Sequence, residues 1–185
     1  MSALDTAADL PAGFRVMDFG PGFIGINGPL YMRHERPANG PPLVLMGFRV
    51  ERRHTNPMLS CHGGMLASFA DMVLPMSIHR KGPPELRQQF LPTVSLQLEY
   101  LAPAPLGAWV QGEAEVLRVT RSLVFAQGLL SADGTPCLRM SGIFKIGKPF
   151  IRGQPAGVSV GVSVGEAAGV SVAEAAGVSE VSAGC

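Results

Sequence analysis

The sequence predicts an α+β fold, one antiparallel sheet of about five or six strands around a single buried helix. Three observations carry this expectation. Residues 65–78 ("MLASFADMVLPMSI") are apolar almost throughout, and their length and Met, Leu and Ala content suit a helix rather than a strand. The segments that follow alternate apolar and polar residues with a period of two. The connections between those segments are short, which favours antiparallel neighbours.

Taken in order, residues 1–12 read as a flexible leader. Residues 13–29 ("GFRVMDFGPGFIGINGP") are rich in Gly and Pro and read as irregular chain packed on a surface. Within them "GPGFIG" matches G-x-G-x-x-G formally. Gly28-Pro29 follows too soon for a helix that could carry a phosphate, so dinucleotide binding is rejected. "LYMRHE" (30–35) and "LVLMGFRVE" (43–51) can pair as strands across "RPANGPP". Gly63-Gly64 opens the apolar segment and "RKGPP" (80–84) closes it. Only Ser68, Asp71 and Ser77 interrupt its apolar surface, the pattern of a helix buried on all sides. "TVSLQLEYL" points Val94, Leu96, Leu98 and Tyr100 one way, and Ser95, Gln97 and Glu99 the other. "WVQGEAEVLRV" places Gln111, Glu113 and Glu115 on one face. "LVFAQGLL" turns through Asp133-Gly134 into "CLRMSGIFKI", a hairpin signal. The expected domain is 13–150. Residues 151–185 carry an octad repeat ("GVSVGEAA", "GVSVAEAA", "GVSEV") and read as a low-complexity, disordered tail.

Composition bounds the function. The chain has 185 residues, 46% hydrophobic and 16% charged, enough apolar matter for a core. Its formal charge of +1 supplies no field for nucleic acid or an anionic membrane. No uncharged apolar run reaches about 18 residues, which argues against a membrane span, and "MSALDTAADLPAG" lacks the features of a signal peptide. Cys61, Cys137 and Cys185 are odd in number and far apart. They form no disulfide framework, and a reducing cytoplasm is the expected location.

The chemistry centres on Asp71. Burying an unpaired carboxylate costs several kcal/mol, roughly, so the position implies either a structural network or a site. Gly63 and Gly64 lie a little over two helical turns upstream. Amides at a helix N-terminus carry partial positive charge and can hold a developing oxyanion, and glycine permits close approach of a substrate. Pro75 follows Asp71 by one turn and deprives its carbonyl of the usual helical donor. Asn56 can point an amide donor into the same space.

"HGGMLASFAD" (62–71) resembles the signature H-G-G-x-x-x-x-[LF]-A-D of the PaaI-like acyl-CoA thioesterases of the hotdog fold. The spacing from Asn56 to His62 and the stretch "TVSLQLEYLAPAPLG" are similar as well, over roughly residues 43–147. The resemblance implies a curved antiparallel sheet wrapped around one long central helix. It implies a homodimer or homotetramer with the site at the subunit interface, and an acyl-CoA substrate hydrolysed to free acid and CoA without metal or other cofactor. Asp71 takes the position of the general base or nucleophile, Gly63 that of the backbone oxyanion donor, and Asn56 that of a residue orienting water or carbonyl. Thr93 matches a hydroxyl near the acid. His62 and Gly64 belong to the motif as structural or substrate-positioning residues. Leu59-Ser60 and Pro75 depart from the common pattern of Gly-Thr and a small residue.

Cys61-His62 is a poor nucleophilic pair, because adjacent side chains diverge. His54, Cys61 and His62 lack zinc-ligand spacing. Met58, Met65, Met72 and Met76 read as core filling that can also line an adaptable acyl slot. Arg118, Arg121 and Arg52-Arg53 are candidates for CoA phosphates, with solvated strand ends as the plain alternative. The alternative functions are a non-catalytic acyl-CoA-binding hotdog module and a hotdog hydratase or dehydratase, although the latter group generally uses a different His-plus-acid arrangement.

Overall fold

The computed structural model describes residues 10–39 and 42–149. The chain forms strands β1 (Arg15–Met17), β2 (Leu30–Glu35), β3 (Leu43–Arg49), β4 (Thr93–Tyr100), β5 (Trp109–Val119), β6 (Leu123–Ala132) and β7 (Thr135–Lys145), with helices α1 (Phe23–Asn27) and α2 (Gly63–Lys81). The strands build one seven-stranded antiparallel sheet in the order β1-β2-β3-β5-β6-β7-β4, open at both edges. This is the hotdog arrangement, with α2 lying against the sheet. The tail and its octad repeat, the first nine residues of the leader and part of the "RPANGPP" loop lie outside the described residues.

Local chemistry explains the hairpins. β6 and β7 turn through Asp133 (φ 46°) and Gly134 (φ 85°), two consecutive positive-φ positions that suit the twist of a tight hairpin. Asp133 Oδ1 also accepts from the Trp109 backbone N–H at 3.0 Å, which ties this turn to β5. Between β5 and β6, Thr120 Oγ1 accepts from the Leu123 N–H at 2.9 Å and closes the turn.

The helix is held by the sheet on one face. Leu66, Phe69, Ala70, Val73, Leu74, Ser77 and Ile78 are buried, at the i, i+3, i+4, i+7 spacing of a single stripe. They share a core with Phe48, Val110, Leu130, Leu138, Met140 and Phe144. Phe69 meets Phe48 edge to face, ring centroids 4.8 Å apart. Glycine at 142 lets Leu74 of the helix and Phe144 pack against β7, since a Cβ there would stand 3.0 Å from a Leu74 methyl and 2.7 Å from the Phe144 ring. Ser77 is structural, its hydroxyl accepting from the Ala114 N–H, and the Ser68 hydroxyl bonds back to the Gly64 carbonyl.

Two expectations are corrected. The helix is not buried all round. Met65, Asp71, Met72, Pro75 and Met76 are only half buried, because a single sheet covers only one face of a helix. The Gly/Pro-rich stretch 13–29 is not irregular throughout, for it supplies β1 and α1, and the sheet gains a seventh strand. Phe14 and Tyr31 pack on Trp109, with centroids at 5.0 and 5.6 Å, and that cluster anchors β1 and β2 from outside the local pattern. α1 has only five residues, less than two turns, and the dinucleotide reading stays rejected.

Candidate active site

Asp71 occupies the middle of α2 on its half-buried face. The Thr93 hydroxyl donates to Asp71 Oδ1 at 2.7 Å. Thr93 reaches the helix because β4 begins with a bulge. Thr93 pairs with Phe144 and Ser95 with Ile143, so Val94 is the extra residue and stands 60% exposed. Oδ2 of Asp71 has no partner among the described residues, and no arginine pairs with this acid among them. The structural alternative, a carboxylate tied to an arginine or a backbone amide, is therefore not what the chain builds.

The N-terminus of α2 is made by the His-Gly-Gly turn. His62 is the N-cap, and its Nδ1 accepts from the Gly64 N–H at 2.9 Å. An accepting Nδ1 places the ring proton on Nε2. The Met65 and Leu66 amides both bond the His62 carbonyl. Three of the first four amides are thus satisfied within the turn, and the Gly63 N–H has no acceptor among the described residues. The Tyr100 hydroxyl, at the far end of β4, donates to the Gly63 carbonyl at 2.9 Å, and its ring lies 3.2 Å from where a Gly63 Cβ would stand. β4 therefore touches the helix at both Gly63 and Asp71. Tyr100 was legible in the sequence only as an apolar-face strand residue.

Asn56 is engaged in its own turn. Its Oδ1 accepts from the Met58 and Ser60 amides at 2.9 and 3.3 Å, and its Nδ2 donates to the Ser60 hydroxyl. It shapes the loop that delivers His62. Leu59, in the same turn, has φ 55°, a left-handed conformation that favours glycine. The common motif's Gly at this position has a backbone reason that Leu59 overrides.

The rejected candidates have structural explanations. Cys61 is buried, its thiol pushed up to about 12 by desolvation first and then by the neighbouring Cys137. It points at the His62 carbonyl rather than the ring, with Sγ and oxygen 3.8 Å apart. His54 is buried with both nitrogens engaged, Nδ1 by the Glu51 N–H at 3.0 Å and Nε2 by the Asn27 carbonyl at 2.9 Å. Neither is a free ligand or nucleophile.

Arg118 and Arg121 are exposed and lack partners among the described residues. The register Thr93–Phe144–Val124–Val119 puts their turn at the same end of the sheet as Thr93, three strand spacings away, about 14 Å.

A cleft of about 520 Å³ opens beside Asp71 and Thr93, with Met72, Pro75, Met76, Phe90 and Leu91 among its walls. A larger cleft of about 750 Å³ lies elsewhere, around Lys81, Glu113 and Arg139, and contains none of the motif residues.

Residues 60–137 match the family model described as the Thioesterase superfamily. A Pseudomonas aeruginosa protein named as an esterase is 24% identical over 140 residues, 75% of this chain and 98% of that protein. Human acyl-coenzyme A thioesterase 13 is 29% identical over 97 residues, 51% of this chain and 65% of the human protein, just under two thirds of its length. Among solved structures, zebrafish thioesterase superfamily member 2 superposes with a TM-score of 0.56 at 26% identity, covering 70% of this chain and 89% of that one. The Escherichia coli PaaI protein superposes with a TM-score of 0.50 at 16% identity, over 57% and 73% of the two chains, a likeness of fold alone. The ordered motif residues, the open sheet with its single long helix and the matched segment together give this domain the hotdog fold and make residues 60–137 similar to the thioesterase superfamily.

Proposed function

We propose that the protein hydrolyses acyl-CoA thioesters to free acid and CoA, with Asp71 as the reacting acid and the Gly63 N–H as the oxyanion donor. The observation that carries this reading is the pairing of a half-exposed carboxylate held by Thr93 with a helix N-terminus that keeps one amide free. A thioester carbonyl is electrophilic and its thiolate leaves without strong acid assistance, so one donor and one base suffice. With Asp71 as base, a water proton passes to its carboxylate while the water oxygen attacks the carbonyl carbon. The carbonyl oxygen takes negative charge at the Gly63 amide. The C–S bond then breaks, and the CoA thiolate leaves. With Asp71 as nucleophile, its oxygen attacks the carbonyl carbon, the C–S bond breaks to release the CoA thiolate, and water cleaves the resulting mixed anhydride to free acid and the Asp71 carboxylate. Thr93 fixes the carboxylate in either course.

Helix geometry adds a requirement. Gly63 and Asp71 are eight residues apart on one helix, a rise of about 12 Å, too far for both to act on one carbonyl. A working site therefore combines Asp71 and Thr93 of one copy with Gly63 of a second.

The test is thiol release from a panel of acyl-CoAs by wild type, Asp71→Asn and Asp71→Ala. Turnover equal to wild type in both variants removes the mechanism, and tight binding without thiol release in the wild type establishes the binding-module alternative instead. Mixing Asp71→Ala with Gly63→Pro subunits tests the shared site. A symmetric dimer predicts recovery of about a quarter of wild-type activity from two inactive parents. No recovery after verified subunit exchange refutes sharing.

A further inference from the structure

The cleft beside Asp71 does not end at its apolar walls. It shares Met76, His79 and Arg87 with a second pocket, of about 250 Å³, lined by Arg36, Met76, His79, Arg80 and Arg87. The three arginines come from separate elements. Arg36 follows β2, Arg80 closes α2, and Arg87 sits in the 3-10 turn Pro84–Gln88. No carboxylate lines the pocket, and none of the three arginines has a carboxylate partner among the described residues. The pKa of the nearby His34 is lowered, by desolvation first and then by the fields of Arg80 and Arg36, in keeping with their place in one pocket. The His79 ring is fixed by the Gln89 carbonyl at 2.9 Å, and its own pKa is lowered by desolvation first. It adds little compensating polarity to the wall. All three arginines are exposed and line one pocket that adjoins the slot, a place where an anion meets several guanidinium groups at once.

We propose that this arginine pocket binds the distal carboxylate of the acyl group, so that the preferred substrates are thioesters of dicarboxylic acids. The proposal rests on Asp71 as the reacting end of the slot. Arg80 lies nine residues beyond Asp71 on α2, a rise of about 13.5 Å and half a turn round the helix, so Arg87, which lines both pockets, is the cation at the junction of the slot, and a medium-length ω-carboxyacyl chain rather than a short one is needed to reach it. Met72, Pro75, Met76, Phe90 and Leu91 in the intervening walls suit methylene groups. Gln88, Gln89 and Thr93 line the same cleft and can meet the amides of a pantetheine arm, so the experiment below separates a distal carboxylate from a CoA phosphate. Arginine presents paired N–H groups that match a carboxylate, and a site built for a charged end discriminates against the uncharged chain of equal length.

The experiment compares suberoyl-CoA with octanoyl-CoA, chains of equal carbon number that differ at the far end. The full-length wild type is expected to favour suberoyl-CoA in kcat/KM by about tenfold or more. Arg80→Gln/Arg87→Gln is expected to lower that ratio at least tenfold, with Arg36→Gln as a second, single-site variant if the double variant folds poorly. A ratio near one in the wild type, or one that the arginine variants leave intact, overturns the proposal. A third thioester, octanoyl-pantetheine, lacks the nucleotide phosphates. If the variants lower octanoyl-CoA turnover relative to octanoyl-pantetheine while leaving the suberoyl-to-octanoyl ratio intact, the pocket holds a CoA phosphate and the dicarboxylate assignment is wrong. Calorimetric titration with free suberate and octanoate separates failure of this proposal from failure of the hydrolase reading. Suberate binding that exceeds octanoate binding and is lost in the arginine variants supports the pocket even if no thioester is cleaved. Equal binding of the two acids refutes it.

Discussion

Replacing Gly63 by proline removes one N–H from the candidate site and almost nothing else. Gly63 is the first residue of α2, after the His62 N-cap, and a proline there forfeits an amide that the helix itself does not use. His62 already has φ −63° and ψ 137°, the extended conformation that a following proline requires. The Gly63 carbonyl, which accepts from Tyr100, is retained. The new ring meets the Tyr100 ring, 3.2–3.4 Å from the Cβ position, and Tyr100 is 54% exposed and able to yield. Gly63→Ala makes the same contact while keeping the amide, and so isolates the steric contribution. Loss of one oxyanion donor is worth about 3–4 kcal/mol, a fall in kcat of roughly a hundred- to a thousandfold. The assay is initial-rate thiol release at saturating acyl-CoA, with thermal melting to confirm folding. If Gly63→Pro turns over within about threefold of Gly63→Ala, the amide is not the oxyanion donor and the reasoning fails.

Three further outcomes follow from particular contacts. Thr93→Val removes the donor to Asp71 and is expected to lower kcat by about tenfold or more, since a hydrogen bond to a charged acceptor is worth about 1.5–3 kcal/mol, whereas Thr93→Ser retains activity; equal loss in both variants contradicts the hydroxyl's role. Leu59→Gly relieves a left-handed leucine worth about 1–2 kcal/mol against a glycine entropy cost of about 0.4–1 kcal/mol, for a net gain of about 0.5–1 kcal/mol in urea unfolding. Any destabilisation in Leu59→Gly speaks against that backbone account. His54, desolvated and held below its ordinary value of 6.5 despite the opposing Asn27 carbonyl, takes up its proton more readily unfolded than folded. Its stabilising effect is complete above about pH 6.5 and is lost as the pH falls towards the depressed folded value; the slope of unfolding free energy between pH 7 and 5 should be shallower in His54→Asn, and an unchanged slope assigns the effect to other groups.

The local sequence determined a good deal. Period-two alternation, Asp133-Gly134 and the unbroken apolar run are short-range signals, and they specify β4 to β7 and α2 because each is satisfied within a few residues of chain. The motif marked Asp71, Gly63 and His62, since the helix start and the acid lie on one element at fixed spacing. Thr93 was identified only by resemblance, as its contact with Asp71 spans 22 residues and depends on a bulge that alternation does not reveal. β1 and α1 escaped the local reading because the Phe14, Tyr31 and Trp109 cluster that fixes them is assembled from distant segments. The one-sided burial of α2 was likewise undetermined, because an apolar surface does not state what covers it. The arginine pocket is the clearest case. Arg36, Arg80 and Arg87 are three unremarkable surface cations in the linear chain, and only the packing of the loop after β2 and the turn Pro84–Gln88 against the end of α2 brings their charges to one place. Electrostatic fields add in space and not along the sequence, so tertiary structure alone could decide it.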